Sequence, residues 1–209
     1  MNMADWSRGW AVAGLALLTA ACASLPVTPE QPAEQSWLER QAAMACIDEW
    51  QFRGRMALAA EGEGWNASID WRQRGEQYRM HLSGPFGSGG MRLVGDPHNF
   101  RLEQGGESYT HFGPPEELIE AEIGVAIPVS GLRHWVLGMP QPEQPSEYTL
   151  NAAGQLNTLQ QAGWDIRYDT YRDYDGTVLP RVMIMERPGV RMRLVSGNWQ
   201  IGDTADCEH

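Results

Sequence analysis

The side chain best placed for chemistry is the thiol of Cys22. It closes the run Leu15-Ala16-Leu17-Leu18-Thr19-Ala20-Ala21-Cys22, a short apolar stretch ending in small residues and a cysteine. The thiol can carry a lipid, a cut before Cys22 frees an amine that can be acylated as well, and the arrangement is the layout of a bacterial lipoprotein signal. The apolar stretch from Trp10 to Ala21 is shorter than the roughly 20 residues a membrane-spanning helix requires. It fits the apolar core of a secretory signal, about 7–15 residues long. The flank before it is weakly basic, because Asp5 offsets Arg8. Thr19 stands third before Cys22, where a large apolar residue is usual, and Leu18 lies one place further back. The alternative is an ordinary secretory signal cut near Ala21-Cys22-Ala23. On the lipoprotein reading the mature chain starts at acylated Cys22. Ala23 and Ser24 follow it, with no Asp to hold the protein in an inner membrane, so an outer membrane is expected.

A second candidate is the loop Gly84-Pro85-Phe86-Gly87-Ser88-Gly89-Gly90. Pro85 suits a turn corner and the glycines permit unusual dihedrals. Phe86 is then a large apolar side chain at a loop tip. Leaving it in water forgoes about 1.5–3 kcal/mol of burial. Either it folds back to anchor the loop, or it projects towards a membrane or an apolar ligand. The glycines are no phosphate loop, since no Gly-Lys-Ser/Thr follows, and Ser88 lacks the Gly-x-Ser-x-Gly spacing of a nucleophile elbow.

Other chemistry is not supported. His81, His98, His111, His134 and His209 are scattered, with no metal-ligand spacing. Glu116-Glu117 fits a helix start. Asp169, Asp173 and Asp175 fit a solvated hairpin, and Asn66-Ala67-Ser68 is a sequon without meaning in a bacterial lipoprotein. No catalytic residue, metal site or cofactor is expected.

These residues must be positioned by the elements around them. Pro26, Pro29 and Pro32 mark a tether over residues 22–36. Ala33–Asp48 carries a partial apolar stripe (Trp37, Leu38, Ala42, Ala45, Ile47) and predicts a helix. The period then switches to two. Phe52, Gly54, Met56, Leu58 and Ala60 share a face, as do Trp65, Ala67, Ile69 and Trp71. Tyr78, Met80 and Leu82 alternate with Arg79 and His81, Met91 and Leu93 flank Arg92, and Phe100 and Leu102 flank Arg101. This is an antiparallel meander with one apolar face. Pro114-Pro115-Glu116-Glu117 opens a helix to Ile123. A second is expected over Ser130–Leu137, capped by Ser130 and stopped by Gly138-Met139-Pro140. Strands resume over Tyr148–Leu150, Leu156–Gln161, Trp164–Tyr171, Arg181–Glu186, Val190–Val195 and Asn198–Ile201.

Composition limits the partners. The chain of 209 residues, less its first 21, suits one domain. A net charge of -11 argues against nucleic acid, and an acidic body is repelled by anionic lipid, leaving the acyl anchor to hold it. Cys46 and Cys207 are able to pair in an oxidising compartment. Ten methionines, eight without Met1 and Met3, are either plain core or the adaptable lining of an apolar site. The expected fold is mainly β with helices (α+β): a curved antiparallel sheet with the helices over its open side, a shape able to leave an apolar cavity.

Several segments in order resemble the LolB family of LolA/LolB-like lipoprotein carriers. They are Phe52-Arg53-Gly54-Arg55, Asp70-Trp71-Arg72-Gln73 through Tyr78-Arg79, Gly84-Pro85-Phe86-Gly87, Ile127 to Pro140, Leu179-Pro180-Arg181 and Val190 to Trp199. The resemblance implies a signal over 1–21, an acylated tether over 22–36, an open-barrel domain over 37–201 (an incomplete antiparallel β-barrel with a helical lid over an apolar cavity) and a polar tail over 202–209. It implies a lipid-anchored monomer on the periplasmic side of the outer membrane, and no enzyme. Its partners would be the periplasmic carrier LolA, acylated lipoprotein cargo and outer-membrane phospholipid. Cargo would be accepted from LolA and inserted into the inner leaflet. By match, Phe86, flanked by Pro85 and Gly87, would serve the insertion step, where the family usually has Leu. Met56, Leu58, Trp71, Met80 and Leu82 would line the acyl cavity, with Leu132 and Trp135 on the lid. The competing expectation is a structural outer-membrane lipoprotein that scaffolds a partner complex without an acyl cavity.

Overall fold

In the computed structural model the alternating segments become eleven strands of one antiparallel sheet. The structure describes residues 32–60, 62–84, 90–113, 115–123 and 127–202. Cys22, the loop residues Pro85, Phe86 and Gly87, and the tail after Gly202 lie outside the described residues. The first meander holds β1 (Glu49–Ala60), β2 (Glu63–Arg74), β3 (Gln77–Ser83), β4 (Met91–Gly95), β5 (Asn99–Gln104) and β6 (Glu107–Phe112). The second holds β7 (Ser146–Leu150), β8 (Leu156–Gln161), β9 (Trp164–Tyr174), β10 (Thr177–Arg187) and β11 (Val190–Ile201). Helix α1 (Ala33–Ala45) precedes them, and α2 (Pro115–Ile123) and α3 (Val129–Trp135) lie between the meanders in sequence.

Each strand pairs with its sequence neighbour within a meander. The two meanders join where β1 pairs with β11, from Trp50↔Ile201 to Ala60↔Val190. The sheet does not close: β6 and β7 are its two edges. The two closing strands expected from the sequence are one strand, β11. Its register with β1 shifts between Arg53 and Gly54, so that Gly197 bulges out of the ladder. The approach there is close, since a Cβ on Gly54 would lie 2.3 Å from the carbonyl oxygen of Val195. A bulge of this kind bends a strand and increases its twist.

The period of two sorts the side chains. Phe52, Ile69, Trp71, Met80, Leu93, Phe100 and Leu102 are buried on one face. Arg53, Arg55, Arg72, Arg79, Arg92 and Arg101 are exposed on the other. Trp65, at the outer end of the β1–β2 hairpin, stays 41% exposed, while Leu58 opposite it is buried. Trp50, Trp71 and Trp199 form a chain of tilted rings with centroids 5.1 and 5.2 Å apart, and Phe52 lies 5.1 Å from Trp199. This cluster packs the seam between the meanders. The β9–β10 turn has positive φ at Asp175 and Gly176, as a two-residue type I′ hairpin requires. The nearby aspartates are solvated hairpin residues: Asp169 pairs with Arg167 and Asp173 accepts the Gly176 N–H.

Helix α1 ends at Ala45, short of Asp48: the Ile47 N–H takes the Met44 carbonyl that the Asp48 N–H would need, and the Asp48 carbonyl accepts the Gly75 N–H at the start of the β1–β2 ladder. Its first turn takes in Ala33–Ser36. Trp37 donates Nε1–H to the Tyr148 hydroxyl (3.2 Å) and packs on its ring, so α1 covers the β7 edge. Cys46 is disulfide-bonded; Cys22 and Cys207 lie outside the described residues. Helix α2 opens on Pro115 with Glu116 and Glu117 in its first turn. Helix α3 starts one residue before Ser130, so Ser130 is not its cap. The cap position is Pro128, which has no side chain able to accept a hydrogen bond. The Ser130 N–H instead donates to Glu116 Oε1 of α2 at 2.8 Å. Gly138, with φ 74°, stops α3 as expected.

Candidate functional site

Between the first meander and the two short helices lies a pocket whose walls are wholly apolar. The sheet contributes Met56, Ile69, Trp71, Met80, Leu82, Met91, Leu93, Met192 and Leu194, and the helical side contributes Ile119, Ile127, Val129 and Leu132. The register explains the sheet side. Met56 faces Ala67 and Leu194, Met80 faces Trp71 and Leu93, and Leu82 faces Ile69 and Met91. All therefore share one face of the pleat. The void is small, about 30 Å³, which is room for about one water-sized group. Four of the thirteen lining residues are Met. An unbranched thioether chain changes rotamer cheaply, so these walls can re-pack around an inserted apolar group.

Five of the residues singled out from the sequence meet here: Met56, Trp71, Met80, Leu82 and Leu132. Leu58 and Trp135 do not. Leu58 is buried one pleat beyond Met56, towards the hairpin end. Trp135 is fully buried on the other flank of α3. Its Nε1–H donates to Gln161 Oε1 (2.8 Å), and its carbonyl accepts the Tyr168 hydroxyl (3.2 Å). Sequence reasoning missed Ile119, Ile127 and Val129. Met192 and Leu194 alternate with Arg191 and Arg193, and this signal places them on the same face.

Polar groups stand around the pocket and hold its helical side. Glu116 joins α2 to α3 through Ser130. His111 Nε2 of β6 lies 3.6 Å from Glu117 Oε2. The Tyr78 hydroxyl is buried without a partner, and burial, with the Glu116 and Asp96 charges, raises its pKa above the phenol range. On α3, burial and then the Arg133 charge push His134 down to about 4. Neutral His134 Nε2 accepts a hydrogen bond from Arg133 Nε at 3.0 Å. It shares a surface cleft with Arg133, Asp48 and Glu76, where Arg133 also lies 3.8 Å from Glu76 Oε1. Among the described residues no group of His, Cys, Asp and Glu could hold a metal ion.

The fold, an open antiparallel sheet with short helices against one face, is shared with solved structures of low sequence identity. A LolA superfamily protein from Nitrosomonas europaea superposes with a TM-score of 0.51 at 10% identity, covering 83% of this chain and 94% of that one. A DUF1329 family protein from Desulfovibrio piger gives 0.50 at 9% identity, over 85% and 96%. That likeness defines the fold. The sequence is more specific: residues 48–199 match the family model of the outer membrane lipoprotein LolB. The outer-membrane lipoprotein LolB of Nitrosococcus oceani is 36% identical over 199 residues, covering 94% of this chain and 99% of the relative. That of Halorhodospira halophila is 37% identical over 196 residues, covering 92% and 95%. The chain belongs to the LolB family of outer-membrane lipoproteins.

Proposed function

We propose that this protein is an acyl-chain receptor without catalytic activity. It accepts acylated lipoproteins from the periplasmic carrier LolA and inserts them into the inner leaflet of the outer membrane, to which its own acylated Cys22 holds it. The observation that carries this reading is the thirteen-residue pocket, apolar on every side and rich in Met. Helices α2 and α3 act as its lid. In the closed state the void is about 30 Å³, so lid and methionines must move apart to admit a chain many methylenes long.

The energetics favour a passive handover. Burying a methylene is worth about 0.8 kcal/mol, so a 16-carbon chain resists water by on the order of 12 kcal/mol. A carrier pocket, this pocket and a bilayer are similar solvents for that chain. Transfer then needs only modest differences in affinity, provided water is excluded along the way. Phe86 is assigned the last step, as an apolar tip at the membrane interface.

Photo-crosslinkers placed at Met80 and Leu132 are expected to label the acyl chain of bound cargo, while those at Leu58 and Trp135 are not. Equal binding of acylated and non-acylated cargo would refute the reading and favour a scaffold. For Phe86→Glu, cargo is accepted but insertion into vesicles fails; normal insertion would remove Phe86 from the mechanism.

A further inference from the structure

The chain is acidic, with a net charge of -11, and all of its basic side chains are arginine. On the outer face of β2–β6 the sign is locally reversed. Arg72 and Arg79 stand directly opposite each other across the β2–β3 ladder. Arg79 faces Val94, which faces Arg101, so three guanidinium groups stand on one line across four strands, with Val94 between the last two. Like charges opposite each other in a ladder are unfavourable in the free protein.

Nearby carboxylates do not relieve the row. Asp70 binds Gln51 and Arg53, Glu103 pairs with Arg92, and Asp96 accepts the N–H groups of His98 and Asn99. Among the described residues, Arg72, Arg79 and Arg101 have no carboxylate within ion-pair distance. The row lies along an open trough floored by Val94 and Gly95.

A second observation shares this face. Thr110 of β6 is opposite Arg101, and Phe112 is two residues further on the same side. Phe112 is 81% exposed, the most exposed large apolar side chain among the described residues. Guanidinium groups match phosphate oxygens in fixed, paired hydrogen bonds. Arginines flanked by an exposed aromatic ring suit the boundary between headgroups and acyl chains. An acidic protein partner would answer the arginines but leave the lone ring unexplained.

We propose that the outer face of β2–β6 docks on anionic phospholipid headgroups, with Arg72, Arg79 and Arg101 on the phosphates and Phe112 dipping beneath them. Net charge alone argues for repulsion from such a surface; its distribution turns one face towards the leaflet. The inference does not depend on what enters the apolar pocket.

The test uses the mature chain with Cys22→Ala, so that the anchor does not mask weaker binding. Vesicles of phosphatidylcholine, with and without phosphatidylglycerol, are sedimented with the protein. Binding is expected only with phosphatidylglycerol and is lost at high salt. Each arginine removed is expected to weaken it about fivefold, and Arg72→Gln/Arg79→Gln/Arg101→Gln by on the order of a hundredfold. Phe112→Ser is expected to weaken it about tenfold with the salt dependence unchanged. Equal binding to both vesicles, or full binding by the triple variant, would overturn the proposal. So would arginine-dependent capture of an acidic protein without vesicle binding. The substituted side chains are exposed, and an unchanged melting curve confirms the fold. Unaltered acyl-cargo binding by the triple variant separates this outcome from failure of the acyl pocket.

Discussion

The two ends of the sheet are built from different materials. Around β7–β10 the interior is tied by directional polar bonds. Gln161, itself buried, accepts from Trp135 Nε1 and from the Gln141 N–H, and donates to the carbonyls of Gln141 and Gln144. Arg40 of α1 donates to the carbonyls of Val178 (2.8 Å) and Leu137 (2.9 Å) and lies over the Tyr171 ring. The β7 edge is covered by α1. Around β2–β5 the interior facing α2 and α3 is lined by methionines, aliphatic side chains and Trp71, and the buried bond from Trp71 Nε1–H to Gln73 Oε1 (3.0 Å) stays within β2 and ties nothing across the wall. Among the described residues no strand pairs with β6 on its outer side, and Phe112 is in water. A hydrogen-bonded amide hub has one good geometry; a Met-lined wall has many of nearly equal energy. One end is a fixed frame, and the other is where volume can change. Helix α3 belongs to both, with Trp135 in the frame and Leu132 in the wall.

The comparison can be broken by stability measurements. Trp135→Ala removes a fully buried ring from the frame and is expected to cost about 4 kcal/mol in urea unfolding. Gln161→Ala leaves several buried donors and acceptors without partners, for about 3 kcal/mol. The sharper test makes one change in both regions. Met185→Ala in the frame is expected to cost about 4 kcal/mol and Met80→Ala in the wall about 2, since an adaptable site closes over a deletion. Equal losses would erase the distinction.

The smallest effect is acid sensitivity. His134 is held near 4 in the folded chain, below about 6.5 for free imidazole. The unfolded chain therefore takes the proton first. The stabilising contribution is full above about pH 6.5 and is lost as pH falls through about 4. Partial exposure limits it to on the order of 1 kcal/mol. His134→Gln should flatten that part of the pH–stability curve; an unchanged slope would exclude His134 as its source.

Much of this was legible in the sequence because period-two alternation is a local signal. It fixed the shared face of Met56, Trp71, Met80 and Leu82. It did not fix how far along a strand the pocket extends, which is why Leu58, on the same face, lies beyond it. Trp135 and Leu132 are three residues apart on α3 and looked alike as apolar helix positions. Only the distant Gln161 separates their roles, and no local pattern announces that bond. The Ser130 cap failed for the same reason: Glu116 supplies the contact from another helix. The basic trough was hidden because total charge is a sum, and only strand order brings Arg72, Arg79 and Arg101 side by side.

The pairing of β1 with β11 sets an order of events in time. The first strand made is at the middle of the sheet, and its second neighbour is the last strand made. Until β11 emerges, each meander has a raw central edge and the Trp50–Trp199 contact has no second ring. Such distant pairing slows folding. The part already synthesised therefore cannot complete its fold ahead of its last strand. The domain becomes whole only once its final strand has arrived.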